Sequence, residues 1–145
     1  MIALLQRVSH AAVYVGGVAV GQIGQGLVVF LGVQQGDSGE QAAKLAQRVV
    51  NYRIFEDDDG KMNQSLIDES GGLLVVPQFT LVADTSQGRR PGFEPAAEPG
   101  IAESIYEQFV DSAREAHSLV ATGQFGAEMQ VNLTNEGPAT FILNG

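Results

Sequence analysis

The chain has 145 residues, of which 44% are hydrophobic and 17% charged, and this balance predicts one globular domain spanning residues 1–145. Its formal net charge is −9, which argues against an extended nucleic acid surface, because long phosphate contacts need basic residues. The absence of cysteine excludes thiol nucleophiles, disulfides and cysteine-ligated zinc. No apolar run approaches the ~20 residues of a membrane helix and no export signal is visible, so we expect a cytoplasmic protein without a membrane partner.

Residues 1–33 have the pattern of β-strands. Apolar residues at 13–15 and 18–20 flank Gly16-Gly17, which predicts a two-residue hairpin because glycine tolerates a positive φ. Residues 27–33 form a continuous apolar run, as expected of a strand buried on both faces. Another buried strand is predicted at residues 73–76, before a proline- and glycine-rich stretch at 83–100 that predicts a long, functional loop.

Two segments have helical periodicity. Ser38 is expected to cap the first helix, with Gln41 as its capping-box partner, and Glu40 and Lys44 lie one turn apart on its outer face. The second helix carries a stripe of like charge. Its acidic residues are Glu103, Glu107, Asp111 and Glu115. We expect this face to be solvated and to repel phosphate.

The C-terminal segment alternates apolar and polar residues from 128 to 134, the pattern of a half-buried strand. It then runs through Asn135-Glu136-Gly137-Pro138 into the apolar residues 141–143. The sequence predicts a hairpin with Gly137-Pro138 at its tip. The whole chain is predicted to be α+β, with a mostly antiparallel, barrel-like β core and two amphipathic helices packed outside.

Histidine chemistry finds little support in the sequence. The only two histidines are His10, in a predicted strand, and His117, at the end of the acidic helix, where a cation complements the helix dipole. We therefore expect a solvated and a capping histidine rather than members of a catalytic triad. No histidine and carboxylate spacing indicates a metal site, and we expect neither a metal nor a cofactor.

Three segments remain that carry candidate chemistry. They are residues 77–81 (Pro-Gln-Phe-Thr-Leu), 88–93 (Gly-Arg-Arg-Pro-Gly-Phe) and 135–140 (Asn-Glu-Gly-Pro-Ala-Thr). Singly, they are typical of a strand end, a basic loop and a turn. Together, with the opening Ala-Leu-Leu-Gln-Arg-Val and Tyr-Arg-Ile-Phe at 52–55, the sequence resembles the D-aminoacyl-tRNA deacylase family over essentially its whole length.

This resemblance implies a homodimer whose pocket holds the 3′-terminal adenosine of an aminoacyl-tRNA and the amino acid esterified to it. Gln78, Phe79 and Thr80 match the catalytic segment that lines the scissile ester. Gly137 and Pro138 match a Gly–cis-Pro dipeptide that reaches into the partner's pocket and enforces chirality. The resemblance further assigns substrate binding to Arg7, which is associated with holding this dipeptide, and to Asn135 and Thr140 of the same motif.

The chain departs from the family pattern at Pro77, where the family usually has serine, so no side-chain nucleophile is expected there. Backbone N–H groups near Phe79 and Thr80 are candidates to stabilise an oxyanion. Water is activated either by Thr80 or by the vicinal ribose hydroxyl of the substrate, and we favour the ribose hydroxyl.

The acidic charge suits an enzyme that grips only the single-stranded end of tRNA and binds no DNA. Four basic residues would suffice if they cluster near the pocket, namely Arg53, Lys61, Arg89 and Arg90. Two other classes of function stay open at this point. One is an acidic binding module without catalysis, and the other is a general small-ester hydrolase.

Overall fold

The computed structural model describes residues 1–145, and its first strand organises the sheet because it pairs with three other strands. The strands are β1 (Ile2–Val15), β2 (Val18–Ile23), β3 (Gly26–Gly32), β4 (Phe55–Glu56), β5 (Met62–Gln64), β6 (Gly72–Pro77), β7 (Val120–Thr122) and β8 (Gln130–Asn144). Strand β1 is antiparallel to β2, β3 and β8. Strands β3, β6 and β7 then run parallel to one another, and β4 and β5 form a separate hairpin.

The sheet curls until its two ends meet. At Gly21 in β2, an added Cβ would lie only 2.3 Å from the backbone oxygen of Thr122 in β7. This close approach of backbone to backbone leaves room for glycine alone. The predicted barrel-like and mostly antiparallel core is therefore confirmed, with β3, β6 and β7 as its parallel part.

The predicted hairpin and buried strand are both present. Gly16 and Gly17 have φ values of 56° and 80°, which gives the tight turn between β1 and β2. In β3, Leu27 and Val29 face the helices, whereas Val28 faces the interior of the barrel. The uninterrupted apolar run is needed because both faces of this strand are covered.

Helices α1 (Gly39–Val50) and α3 (Pro99–Ala116) pack against each other and against one face of the sheet. The capping box of Ser38 and Gln41 is present, and Lys44 Nζ lies 2.6 Å from Glu40 Oε1. Both predicted helices are present, and a third, short helix, α2 (Leu66–Glu69), was not predicted. Its four residues are too few to show helical periodicity.

The acidic stripe of α3 is exposed, as predicted, while its other face is buried in the core. The Tyr106 hydroxyl donates to the Val75 carbonyl at 2.9 Å, and burial raises the pKa of this hydroxyl well above its ordinary range. His117 is the C-cap of α3, and its Nε2 lies 2.6 Å from the Gly71 carbonyl. No helix in the chain combines the length and the apolar character required to cross a membrane.

The expectation of a C-terminal hairpin was wrong. Strand β8 is one continuous strand, and it pairs with β1 on both sides of the Gly137-Pro138 dipeptide. The register slips where Val8 pairs with Asn135 and Gln6 pairs with Thr140, so residues 136–139 bulge out opposite Arg7. The turn-forming residues therefore create a protrusion within a strand rather than a reversal of the chain.

Candidate active site

A cavity of about 550 Å³ opens where β6 ends. Three segments supply its lining, namely residues 76–79, 96–102 and 125–131, and nine of the fourteen lining residues are hydrophobic. Pro77 is the last residue of β6, opposite Leu31 of β3. The cavity therefore has the size and the mostly apolar wall of a small-molecule site, at the carboxyl end of a parallel strand.

Gln78 and Phe79 line one edge of this cavity, and Thr80 is the next residue along the chain. The Gln78 backbone N–H donates to the Leu31 carbonyl at 2.9 Å, which fixes the segment to the end of β3. The Gln78 side-chain amide donates to the Thr80 hydroxyl oxygen. The Phe79 ring is 60% exposed and packs against Phe93, with 5.2 Å between the ring centroids. A large aromatic ring held at a cavity mouth is available to a ligand.

The backbone turns into a 3₁₀ helix at Phe79–Val82. This turn bonds the Leu81 N–H to the Gln78 carbonyl and the Ala83 N–H to the Thr80 carbonyl. The N–H groups of Phe79 and Thr80 open the turn and make no hydrogen bond within the chain. They are two adjacent donors without a partner in the chain, one on a residue of the cavity wall and one on the next residue, and they are therefore candidates to bind a negatively charged oxygen.

Glu128 is a residue that the sequence reasoning missed. It is the only ionisable side chain among those that line the cavity. The alternating pattern placed it on the outer face of a strand, but β8 begins only at Gln130, and residues 126–129 form part of the cavity wall. Neither histidine lines the cavity, and His10 is exposed on β1, 3.4 Å from the Thr134 hydroxyl.

Arg7 holds the bulge of β8 in place. Its Nε donates to the Glu136 carbonyl at 3.1 Å, and its Nη1 donates to the Ile54 carbonyl at 2.8 Å. Its Nη2 lies 3.7 Å from the Glu56 carboxylate. Because the guanidinium is anchored on three sides, it acts as a rigid support for the backbone that precedes Gly137.

Asn135 closes the base of the same bulge. Its amide nitrogen donates to the carbonyls of Arg7 and Ala139 at 3.0 and 2.9 Å, and its amide oxygen accepts from the Ala139 N–H at 3.1 Å. Thr140 follows Ala139, and its hydroxyl oxygen accepts a hydrogen bond from the side-chain amide of Gln6 at 3.2 Å. The bulge is therefore a defined structure and not a loose loop.

The Gly137-Pro138 peptide bond at the crest of the bulge is cis, as the resemblance implies. Gly137 has a φ of 131°, and a Cβ at this position would lie 2.8 Å from Arg7 Nη2. Since Arg7 is anchored, it has little room to move aside. Only glycine fits this position without distorting its surroundings.

The cavity and the bulge lie apart within one chain. Neither Gly137 nor Pro138 lines the cavity, although Val131 of the same strand does. Gly137 lies six positions after Val131 in β8, a distance of ~20 Å at ~3.3 Å per strand residue. The structure thus brings Gln78, Phe79 and Thr80 together, and separately Arg7, Asn135 and Gly137-Pro138, but it does not join the two groups.

The similarity to known proteins extends over both the cavity residues and the bulge residues. A family model described as D-Tyr-tRNA(Tyr) deacylase matches residues 4–144. The chain belongs to this family. Its relatives include the D-aminoacyl-tRNA deacylase of Thioalkalivibrio sulfidiphilus, 57% identical over 99% of this chain and 96% of the relative. The D-aminoacyl-tRNA deacylase of Pseudomonas aeruginosa strain LESB58 is 55% identical over 99% of both chains.

A solved structure shares the fold of this chain. The c-Myc DNA unwinding element binding protein superposes on this chain with a TM-score of 0.95 and is 36% identical, covering 100% of this chain and 99% of that one. The resemblance predicted from the sequence motifs is therefore confirmed at the level of the family and of the fold.

Proposed function

We propose that the protein is a D-aminoacyl-tRNA deacylase, which hydrolyses the ester between a D-amino acid and the 3′-terminal adenosine of tRNA. Relatives of that name match it over nearly their full length. The observation that carries the proposal is the pair of N–H groups without partners at Phe79, which lines a mostly apolar cavity, and at the adjoining Thr80. A cavity of this kind suits a nucleoside and an amino acid side chain.

The reaction adds water to the ester carbonyl carbon. The carbonyl oxygen gains negative charge and is received by the N–H groups of Phe79 and Thr80, each worth ~3–4 kcal/mol in the transition state. The bond to the ribose oxygen then breaks and that oxygen takes a proton, giving a free amino acid and tRNA with an intact 3′ end. The neighbouring ribose hydroxyl positions the attacking water, because no histidine lines the cavity and the Thr80 hydroxyl oxygen already accepts from the Gln78 amide; Glu128 is the alternative base.

The second part of the proposal is a two-fold symmetric dimer. The bulge at Gly137-Pro138 lies ~20 Å along β8 from the cavity of its own chain. A two-fold axis makes such a contact reciprocal, so each bulge closes the cavity of the other copy. The backbone carbonyls of the bulge then bind the substrate's α-amino group and crowd one face of its Cα.

The preference for D over L amino acids follows from this exclusion by the main chain. An L side chain would meet the rigid backbone around Gly137, whereas a D side chain points away from it. Glycine has no side chain to exclude, so we expect glycyl-tRNA to be hydrolysed as well. Since the substrate is a tRNA used in translation, we place the protein in the cytoplasm.

The net charge of −9 counts against a role in binding duplex DNA, because such binding needs many phosphate contacts. One assay distinguishes the proposal from the two alternatives, an acidic binding module without catalysis and a general small-ester hydrolase. The purified protein is given D-tyrosyl-tRNA, L-tyrosyl-tRNA and p-nitrophenyl acetate. We expect rapid release of tyrosine from the D form alone. Equal rates on all three esters would indicate a general esterase, and no release from any would indicate a binding module.

A further inference from the structure

The basic side chains of this acidic protein divide into two sets. Eight basic residues are present against seventeen acidic ones. Four already have partners within the chain. Arg7 binds Ile54, Glu136 and Glu56, Lys44 binds Glu40, Arg48 binds the Asn144 carbonyl, and Arg114 lies near Asp111. The positive charges without an ion pair or hydrogen bond are those of Arg53, Lys61, Arg89 and Arg90.

These four residues belong to different parts of the fold. Arg53 lies close enough to Asp68 to lower the pKa of that carboxyl, after the larger effect of the hydrogen bonds from Ser65. Lys61 lies in the turn between β4 and β5. Arg89 and Arg90, by contrast, are adjacent, exposed and located in the loop that follows the Gln78-Phe79-Thr80 segment.

This arginine loop, residues 85–91, is fastened at both ends to the cavity edge. Asp84 and Gly92 close it with two backbone hydrogen bonds of 2.8 and 2.9 Å. On one side, the Ala83 N–H before Asp84 bonds to the Thr80 carbonyl at 3.2 Å. On the other side, Phe93 follows Gly92 and packs on Phe79 at the cavity mouth. The loop therefore stands next to the candidate oxyanion donors.

The segment that leaves the loop is also tied to the end of β3. The Ala97 N–H donates to the Val33 carbonyl at 3.1 Å, and the Gln35 N–H donates to the Pro95 carbonyl at 2.9 Å. Ala96 and Ala97 themselves line the cavity. Because both ends of the loop are held at the cavity edge, its two exposed arginines are tethered close to the cavity by a short segment, which lowers the cost of ordering them on binding.

We propose that the arginine loop is a phosphate-binding element, in which Arg89 and Arg90 bind backbone phosphates of the single-stranded tRNA end whose terminal adenosine occupies the cavity. This inference rests on the proposed function. Arginine suits the role because its planar fork donates two parallel hydrogen bonds to phosphate oxygens. The loop gives an acidic protein one local positive site and leaves the exposed acidic stripe of α3 to repel RNA bound in other orientations.

The test compares two double variants with the same change in net charge. The first is Arg89→Gln with Arg90→Gln, in the loop. The control is Lys44→Gln with Arg114→Gln, on the exposed surfaces of α1 and α3. Each protein is assayed on D-tyrosyl-tRNA and on 3′-O-(D-tyrosyl)adenosine, which carries no phosphate. Binding of uncharged tRNA is measured separately, by fluorescence over a range of salt concentrations.

We expect the loop variant to raise KM for D-tyrosyl-tRNA by about tenfold or more and to leave hydrolysis of the adenosine ester unchanged. Its salt dependence of tRNA binding should flatten by ~0.7 in slope for each lost phosphate contact. The control should match the wild type. Equal losses in loop variant and control, equal losses on both substrates, or an unchanged salt slope would each overturn the proposal. If the wild type cleaves neither ester, the proposed function fails, while the tRNA-binding slopes still decide whether the loop binds phosphate.

Discussion

At the scale of single residues, the chemistry depends on what activates the attacking water. The Thr80 hydroxyl oxygen already accepts a hydrogen bond from the Gln78 amide, and no histidine lines the cavity to serve as its base. We therefore predict that Thr80→Ala keeps measurable activity, whereas a substrate with 2′-deoxyribose at its end reacts far more slowly. Single-turnover rates at saturating enzyme separate this effect from binding.

The opposite pattern would identify Thr80 as the nucleophile. Removal of a true nucleophile commonly costs several orders of magnitude in rate, because covalent catalysis has no substitute. A normal rate on the deoxy substrate, together with an inactive Thr80→Ala variant, would contradict assistance by the substrate.

Glu128 provides a second test at this scale, since it is the only ionisable group in the cavity wall. If the ribose hydroxyl activates the attacking water, Glu128→Gln should reduce kcat by less than about tenfold. A general base usually contributes ~10²–10⁴-fold, so a loss in that range would make Glu128 the base. The neighbouring exposed Gln130→Ala, outside the cavity lining, serves as the control.

At the scale of elements, the bulge of β8 depends on Asn135, whose side chain makes three hydrogen bonds to backbone groups. Asn135→Ala leaves these groups without partners in a half-buried place, so we expect it to lower the free energy of unfolding by ~1–3 kcal/mol. Urea denaturation measures the loss. Asn132→Ala, at an exposed position of the same strand, should change stability by less than ~0.5 kcal/mol. Equal effects of the two changes would show that the bulge does not depend on the hydrogen bonds of Asn135.

The same elements show what the sequence can predict. The start of α1 was predicted from Ser38 and Gln41 because a capping box is a local structure, complete within four residues. The bulge was mistaken for a hairpin because both structures use the same turn-forming residues. The deciding fact is that β1 pairs with β8 on both sides of Gly137, and that pairing joins residues more than 110 positions apart.

The candidate site was predictable only in part for the same reason. The motif residues 78–80 and 135–138 could be named from their resemblance to a family. The cavity could not, because its wall combines residues 76–79, 96–102 and 125–131, which meet only in the folded chain. Glu128 has no sequence signal of its own, since its role depends on where β8 begins.

At the scale of the whole molecule, the proposed function requires each active site to be built from two chains. The decisive measurement is complementation between two inactive variants that have first been shown to fold. Ala127→Trp fills the cavity of its own chain, and Gly137→Ala disturbs the bulge, because its Cβ would meet the anchored Arg7. A mixed dimer carries one intact cavity and one intact bulge, and these face each other in one of its two sites.

The two variants are mixed in equal amounts, unfolded and refolded together, and assayed on D-tyrosyl-tRNA. Random pairing makes half of the dimers mixed, so we predict recovery of about a quarter of the wild-type rate per chain, from variants that are inactive when refolded alone. If cavity and bulge instead served the same chain, every chain in the mixture would remain defective, and an unrestored rate would contradict the account.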